Sequence, residues 1–220
     1  EGLTIVSHHG HKNWLHQVML ALQGLVRNNP LLAPHFALLP PSSFHVTCMD
    51  LLSFTANEFD KYYERSAGAG HPPAIKEQIA GVTAAVDACW SLLPETLTFR
   101  PVGVQCHADY VLMVSLEPDP PTAKALCAWR EAIASHTSCR AEYCVNASPE
   151  YRFHSTFAYP LYSIASDEAA AAFSTFAQAA QWMVAGVGPV TLPAPDLCRF
   201  HDMGRFVPVS GKSSAMMDVC

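Results

Sequence analysis

Two stretches of this chain, Phe44-His45-Val46-Thr47-Cys48 and Phe153-His154-Ser155-Thr156-Phe157, repeat the pattern Phe-His-x-Thr followed by an apolar residue, about half a chain apart. A strand sends successive side chains to opposite faces, so in each stretch the His and Thr share one face while Phe, the x residue and the following residue share the other. Each segment therefore offers an imidazole beside a hydroxyl and buries its other side. One His-x-Thr carries almost no information, because a histidine in a strand is commonly a partly buried structural residue. Two copies with matching flanks constrain the chain far more: the fold has to hold two such strands, and if they meet across a cleft the pocket holds two imidazoles and two hydroxyls.

That set suits in-line displacement at a phosphodiester. A neutral imidazole takes a proton from water or a ribose hydroxyl and an imidazolium gives one to the leaving oxygen, since both ionise near operating pH. Threonine hydroxyls donate to non-bridging phosphate oxygens. The chemistry requires no metal and no cofactor.

The surroundings predict the elements. Leu3 to Val6 reads as a strand, and Trp14 to Arg27 as a helix with Leu15, Val18, Met19, Leu22 and Val26 on one face. Pro30, Pro34, Pro40 and Pro41 predict an irregular connection before a strand at Phe44 to Leu51. A short helix with Phe59, Tyr62 and Tyr63 and a Gly68-Ala69-Gly70 loop follow, then a helix from Ala74 to Leu93. Leu97 to Gln105 and Tyr110 to Leu116 predict a hairpin around His107-Ala108-Asp109. Thr122 to His136 is a third clear helix, with Leu126, Trp129 and Ile133 aligned, and Tyr151 to Tyr159 is a strand. Ser166 caps a helix running to Trp182 or Met183, and Pro189 to Leu192, Leu197 to Phe200 and Arg205 to Val209 are short extended segments. Helices mixed with antiparallel-type strands, without regular alternation or a Gly-rich nucleotide turn, give an α+β fold.

Composition narrows the ligand. The chain of 220 residues is 50% hydrophobic and 15% charged, with a formal net charge of −6. A protein that grips long nucleic acid needs a surplus of clustered cations, so the expected partner is small: a nucleotide or short oligonucleotide rather than long RNA or DNA. No apolar stretch has the length of a membrane span, Glu1 opens no signal-peptide pattern, and eight scattered cysteines without CxxC pairs read as reduced thiols; the expected location is cytoplasmic. Eleven histidines pose the question of metal, most acutely at His8, His9, His11 and His16, but no Cys or carboxylate completes a recognised ligand spacing there. Ser210-Gly211-Lys212-Ser213 imitates the end of a phosphate-binding loop, yet Phe206 stands where that loop needs its first glycine.

The paired motifs, their separation and the strand–helix layout around them resemble the 2H phosphoesterase superfamily. The flanking Leu39-Pro40-Pro41-Ser42-Ser43 and the late Asp196-Leu197-Cys198-Arg199-Phe200-His201-Asp202-Met203 are similar to a sparsely characterised subgroup of it. The resemblance runs from about Leu3 to Val209. It implies a bilobal, pseudo-twofold fold with two antiparallel sheets facing across a central groove and helices outside. Residues 1–210 are then one bilobal domain and 211–220 a tail. It implies metal-independent hydrolysis of 2′,3′-cyclic or related cyclic phosphates, or action on RNA ends in RNA processing, with His45 and His154 as acid–base pair and Thr47 and Thr156 as phosphate ligands. Which imidazole is acid and which base stays open at this point. Arg152, two residues before His154 on the same strand face, is a candidate phosphate-binding cation. Tyr159 falls on the opposite face from His154 unless a bulge re-aims it. The expected oligomeric state is a monomer, and the competing function is a non-catalytic nucleotide-binding module on the same fold.

Overall fold

The structure is a computed structural model that describes residues 2–53, 75–106, 111–137 and 151–209. The expected hairpin turn at 107–109, the aromatic segment with Tyr62 and Tyr63, the Gly-rich loop and the tail at 211–220 lie outside the described residues.

The described chain is α+β and forms two antiparallel sheets. In order, its main elements are β1 (Gly2–His8), α1 (Trp14–Arg27), β2 (Phe36–Leu38), β3 (His45–Ser53), α2 (Ile75–Cys89), β4 (Thr96–Gln105) and β5 (Leu112–Pro118). These are followed by α3 (Pro120–Ala134), β6 (Phe153–Pro160), α4 (Asp167–Ala185), β7 (Val190–Pro193), β8 (Asp196–Asp202) and β9 (Arg205–Pro208). The first sheet has the order β3-β1-β8-β9 and the second β2-β6-β5-β4-β7.

An internal repeat is visible in this order. β1–α1–β3 and β5–α3–β6 are each a strand, a helix and a returning antiparallel neighbour, and the second strand of each opens with the Phe-His-x-Thr motif. β8 then flanks β1 as β4 flanks β5, with β9 and β7 outermost. The second sheet carries β2 as an extra edge strand, three residues within the stretch expected to be irregular. Pro34 and Pro40 leave that strand too short for periodicity to reveal it, and pairing of Phe36 to Leu38 with Ala158 to Pro160 supplies its order.

Helix starts follow local chemistry. Asn13 accepts the Leu15 amide at the head of α1, Asp119 the Thr122 amide at α3 and Ser166 the Ala169 amide at α4, each satisfying a donor the first turn leaves unpaired. The apolar faces point inward as the spacing predicts: Leu15, Val18, Met19, Leu22 and Val26 on α1, and Leu126, Trp129 and Ile133 on α3, are buried. α4 runs to Ala185, past Trp182, because Phe173, Phe176, Ala180 and Val184 continue its buried stripe. One apolar core joins residues of both sheets, such as Met49 with Phe99 and Phe157. The sheets meet where β3 lies against β6, the two motif-bearing strands.

Candidate functional site

His45 begins β3. Upstream, Pro40 and Pro41 lead into a single 3-10 turn over Pro41–Ser43, closed by the Phe44 amide on the Pro41 carbonyl and by the Ser43 hydroxyl on the Pro40 carbonyl at 2.7 Å. That turn aims the Ser43 carbonyl at the imidazole, and His45 Nδ1–H donates to it at 2.6 Å. His154 Nδ1–H donates in the same way to the carbonyl of Arg152 at 3.0 Å. Each ring is thus held through Nδ1 by the backbone two residues upstream, leaving Nε2 as the working nitrogen.

The two imidazoles sit in unlike surroundings. His45 is 5% exposed, with the Phe206 ring 4.2 Å from its own, centroid to centroid, and His8 edge-on at 6.2 Å. Its pKa falls to about 4, chiefly because burial penalises the charged ring; the Ser43 carbonyl opposes this, while His8 and His154 add repulsion. His154 is partly exposed, with the Tyr151 ring 6.5 Å away and tilted by 34°.

The threonines follow on the same face, and directly after each of them the strand bulges. In β3, Thr47 pairs with Val6 and Met49 with Ile5, so Cys48 is an extra residue. In β6, Thr156 pairs with Met113 and Ala158 with Leu112, so Phe157 is the extra one. A bulge shifts the alternation by one. The partly exposed groove positions after the threonines are therefore Asp50 and Tyr159. The plain alternation that sets Tyr159 on the opposite face from His154 is overridden here: Tyr159 has a side-chain hydrogen bond with Thr156. Thr47 has the matching bond with Tyr151, just ahead of β6, so the first motif's hydroxyl is met by a tyrosine of the second lobe.

Among the expected residues, His45, Thr47, His154 and Thr156 are brought onto the facing strands β3 and β6. Arg152 is exposed immediately before β6, and its carbonyl accepts from His154. His8 borders His45, but His9 turns away from solvent at 6% exposure, and neither of its ring nitrogens has a hydrogen-bond partner among the described residues. Its pKa falls to about 3 through burial and then repulsion from His45, His16 and His8. His11 and His16 pack edge-on at 5.1 Å. Among the described residues no three His, Cys, Asp or Glu side chains are grouped to hold a metal ion. Tyr151, Asp50 and Phe206 were not legible beside the motifs in the sequence, because strand register and the approach of the Phe206 ring to His45 place them there.

Comparison with known proteins bears on this geometry. Residues 1–63 match the family model 2H-phosphodiest, described as a domain of unknown function (DUF1868), a span that includes the first motif and ends before the second. The match is thus to the first part of the chain, which is similar to that family. A conserved protein of unknown function, ATU0111 from Agrobacterium tumefaciens str. C58, is similar over 94% of this chain and 84% of its own, with TM-score 0.65 and 17% identity. TT0787 of Thermus thermophilus is similar over 96% of each chain, with TM-score 0.51 and 13% identity. At those identities the likeness is one of fold. No curated protein matches the chain. Among the described residues no helix is long and apolar enough to cross a membrane.

Proposed function

We propose that this 2H-like protein is a phosphodiesterase that opens 2′,3′-cyclic nucleotide phosphates, or the cyclic phosphate of a short RNA end, with His45 as general base and His154 as general acid. The observation that carries this reading is the pair of imidazoles, each held through Nδ1 by a backbone carbonyl, on adjoining strands that also carry the two threonines. The division of labour follows from burial. His45, kept neutral by its surroundings, accepts a proton on Nε2 from water as the water oxygen bonds to phosphorus. The phosphorus–O3′ bond breaks, and Nε2–H of protonated His154 delivers its proton to O3′, leaving a 2′-phosphomonoester. Proton exchange with solvent returns both rings to their starting states.

Hydroxyl hydrogens of Thr47 and Thr156 point at the non-bridging oxygens, where charge accumulates in the transition state. Arg152 supplies a cation from the exposed side of the site. The substrate is small, which agrees with a net charge of −6.

The test is turnover of adenosine 2′,3′-cyclic monophosphate in EDTA by the wild type, His45→Ala and His154→Ala. The expected result is EDTA-insensitive hydrolysis to the 2′-phosphate, lost in both variants. Hydrolysis that survives either substitution overturns the paired mechanism. Nucleotide binding without turnover by the wild type replaces it with the binding-module reading.

A further inference from the structure

The carbonyl of each extra residue accepts a hydrogen bond from a long buried side chain, and that of Phe157 also accepts from the Leu39 amide at 3.1 Å. Arg130 on α3, 3% exposed, donates from Nε to the Cys48 carbonyl at 2.7 Å. Gln23 on α1, 1% exposed, donates from Nε2 to the Phe157 carbonyl at 2.8 Å and to the Leu39 carbonyl at 2.7 Å. The pairing is reciprocal across the internal repeat. α1 belongs to the unit that contains Cys48 yet serves the bulge of β6, while α3 belongs to the unit that contains Phe157 yet serves the bulge of β3.

Neither side chain is one that packing alone selects. Gln23 Oε1 and Arg130 Nη2 have no hydrogen-bond partner among the described residues, so each residue leaves part of its desolvation uncompensated. The Arg130 guanidinium also lies over the Tyr151 ring at 4.5 Å and the Phe153 ring at 4.8 Å, the two residues that flank Arg152 ahead of His154. One guanidinium thus joins the bulge behind Thr47 to the tyrosine that meets the Thr47 hydroxyl. Tyr151 keeps its proton, since burial and then the Asp50 charge push its pKa upward, with the Arg130 charge and the Thr47 hydroxyl opposing the rise.

We propose that Arg130 and Gln23 are positioning residues: each holds the bulge carbonyl of the opposite repeat unit and so fixes the direction of the threonine hydroxyl before it, Arg130 for Thr47 and Gln23 for Thr156. This inference rests on the reading of those hydroxyls as phosphate ligands, and its test has one arm that needs no substrate. Three-bond couplings of Thr47 and Thr156 are measured by NMR in the wild type, Arg130→Met and Gln23→Met. Arg130→Met averages the rotamers of Thr47 and leaves Thr156 fixed; Gln23→Met does the reverse. In the second arm each variant lowers kcat on adenosine 2′,3′-cyclic monophosphate by about ten- to a hundredfold, with KM changed less than kcat. Arg130→Gln, which carries the donor that the other unit uses, recovers most of it.

Couplings unchanged in both Met variants overturn the inference, as does a Met variant that averages both threonines together, the mark of general loosening. Where Arg130→Met does not fold, Arg130→Gln and Arg130→Lys decide the same point: fixed Thr47 couplings support the inference and averaged ones overturn it. A wild type that turns over no cyclic phosphate defeats the proposed function, and the couplings still decide the positioning.

Discussion

The two Phe-His-x-Thr strands share geometry and differ in solvent. Both histidines are tied by Nδ1 to the carbonyl two residues back, and both threonines precede a bulge. Yet His45 lies under Phe206 and beside His8, while His154 keeps partial access to water. An internal repeat supplies two equal imidazoles, and acid–base catalysis needs unequal ones. Here the inequality comes from what lies against each motif: Phe206 of β9 sits on the first imidazole at 4.2 Å, and Tyr151 lies 6.5 Å from the second.

The largest effects come from removing either ring. His45→Ala and His154→Ala each lower kcat/KM on adenosine 2′,3′-cyclic monophosphate by about 10²–10⁴-fold. They do so with different pH signatures. The wild type gives a bell whose acidic limb falls near pH 4, the value to which burial draws His45. The residual activity of His45→Ala lacks that limb, and that of His154→Ala keeps it. A His45→Ala profile with the acidic limb intact reverses the assigned roles.

Next in size are the hydroxyls. Thr47→Val and Thr156→Val each remove a hydroxyl proposed to donate to the phosphate and lower kcat by about a hundredfold, with secondary structure unchanged by circular dichroism. Tyr151→Phe acts only through Thr47, so adding it to Thr47→Val brings no further loss; additive losses assign Tyr151 a direct role instead.

How much of this contrast is legible in the sequence depends on whether a feature is local. The motif pair, the helix faces at Leu15 to Val26 and Leu126 to Ile133, and the Ser166 cap are local patterns, and they appear in the fold as the spacing predicts. β2 is invisible because three residues between prolines acquire strand geometry only from β6. The bulges are invisible because nothing in Cys48 or Phe157 announces an extra residue, and with them go Asp50 and the true face of Tyr159. Gln23 and Arg130 read as ordinary helix residues until the carbonyls they serve are placed beside them. The inequality of the two histidines is also a tertiary property: Phe206 is distant from His45 in sequence and 4.2 Å from it in space.

The buried histidines also couple the fold to pH. His45 and His9 have folded-state pKa values of about 4 and about 3, below the unfolded value near 6.5. Between those limits the unfolded chain binds the more protons, so stability is full above pH 6.5 and falls as the pH drops through this window. The slope is about 1.4 kcal/mol per pH unit for each such group, a tenfold change in the folding equilibrium. Urea unfolding from pH 7 to pH 4 measures it. His9→Leu removes one group's share, and because neither nitrogen of His9 has a partner among the described residues, stability at pH 7 is little changed. An unaltered slope in that variant shows that His9 is not buried uncharged.

The smallest expected effect isolates the contrast between the lobes without touching either imidazole. Phe206 is 8% exposed and its ring is the nearest aromatic cover over His45. Phe206→Leu keeps an apolar residue on β9 but covers less of the ring, so water reaches His45 and the desolvation that lowers its pKa weakens. The acidic limb of kcat/KM then moves up from about 4 toward the ordinary histidine value. At pH 5 the variant is slower by about two- to fivefold, and at pH 8, where His45 is neutral in both proteins, the rates coincide. A loss of the same size at pH 5 and pH 8 assigns Phe206 to shaping the groove rather than to tuning the base. A limb shifted with no loss at pH 8 ties the inequality of the two histidines to one ring of β9.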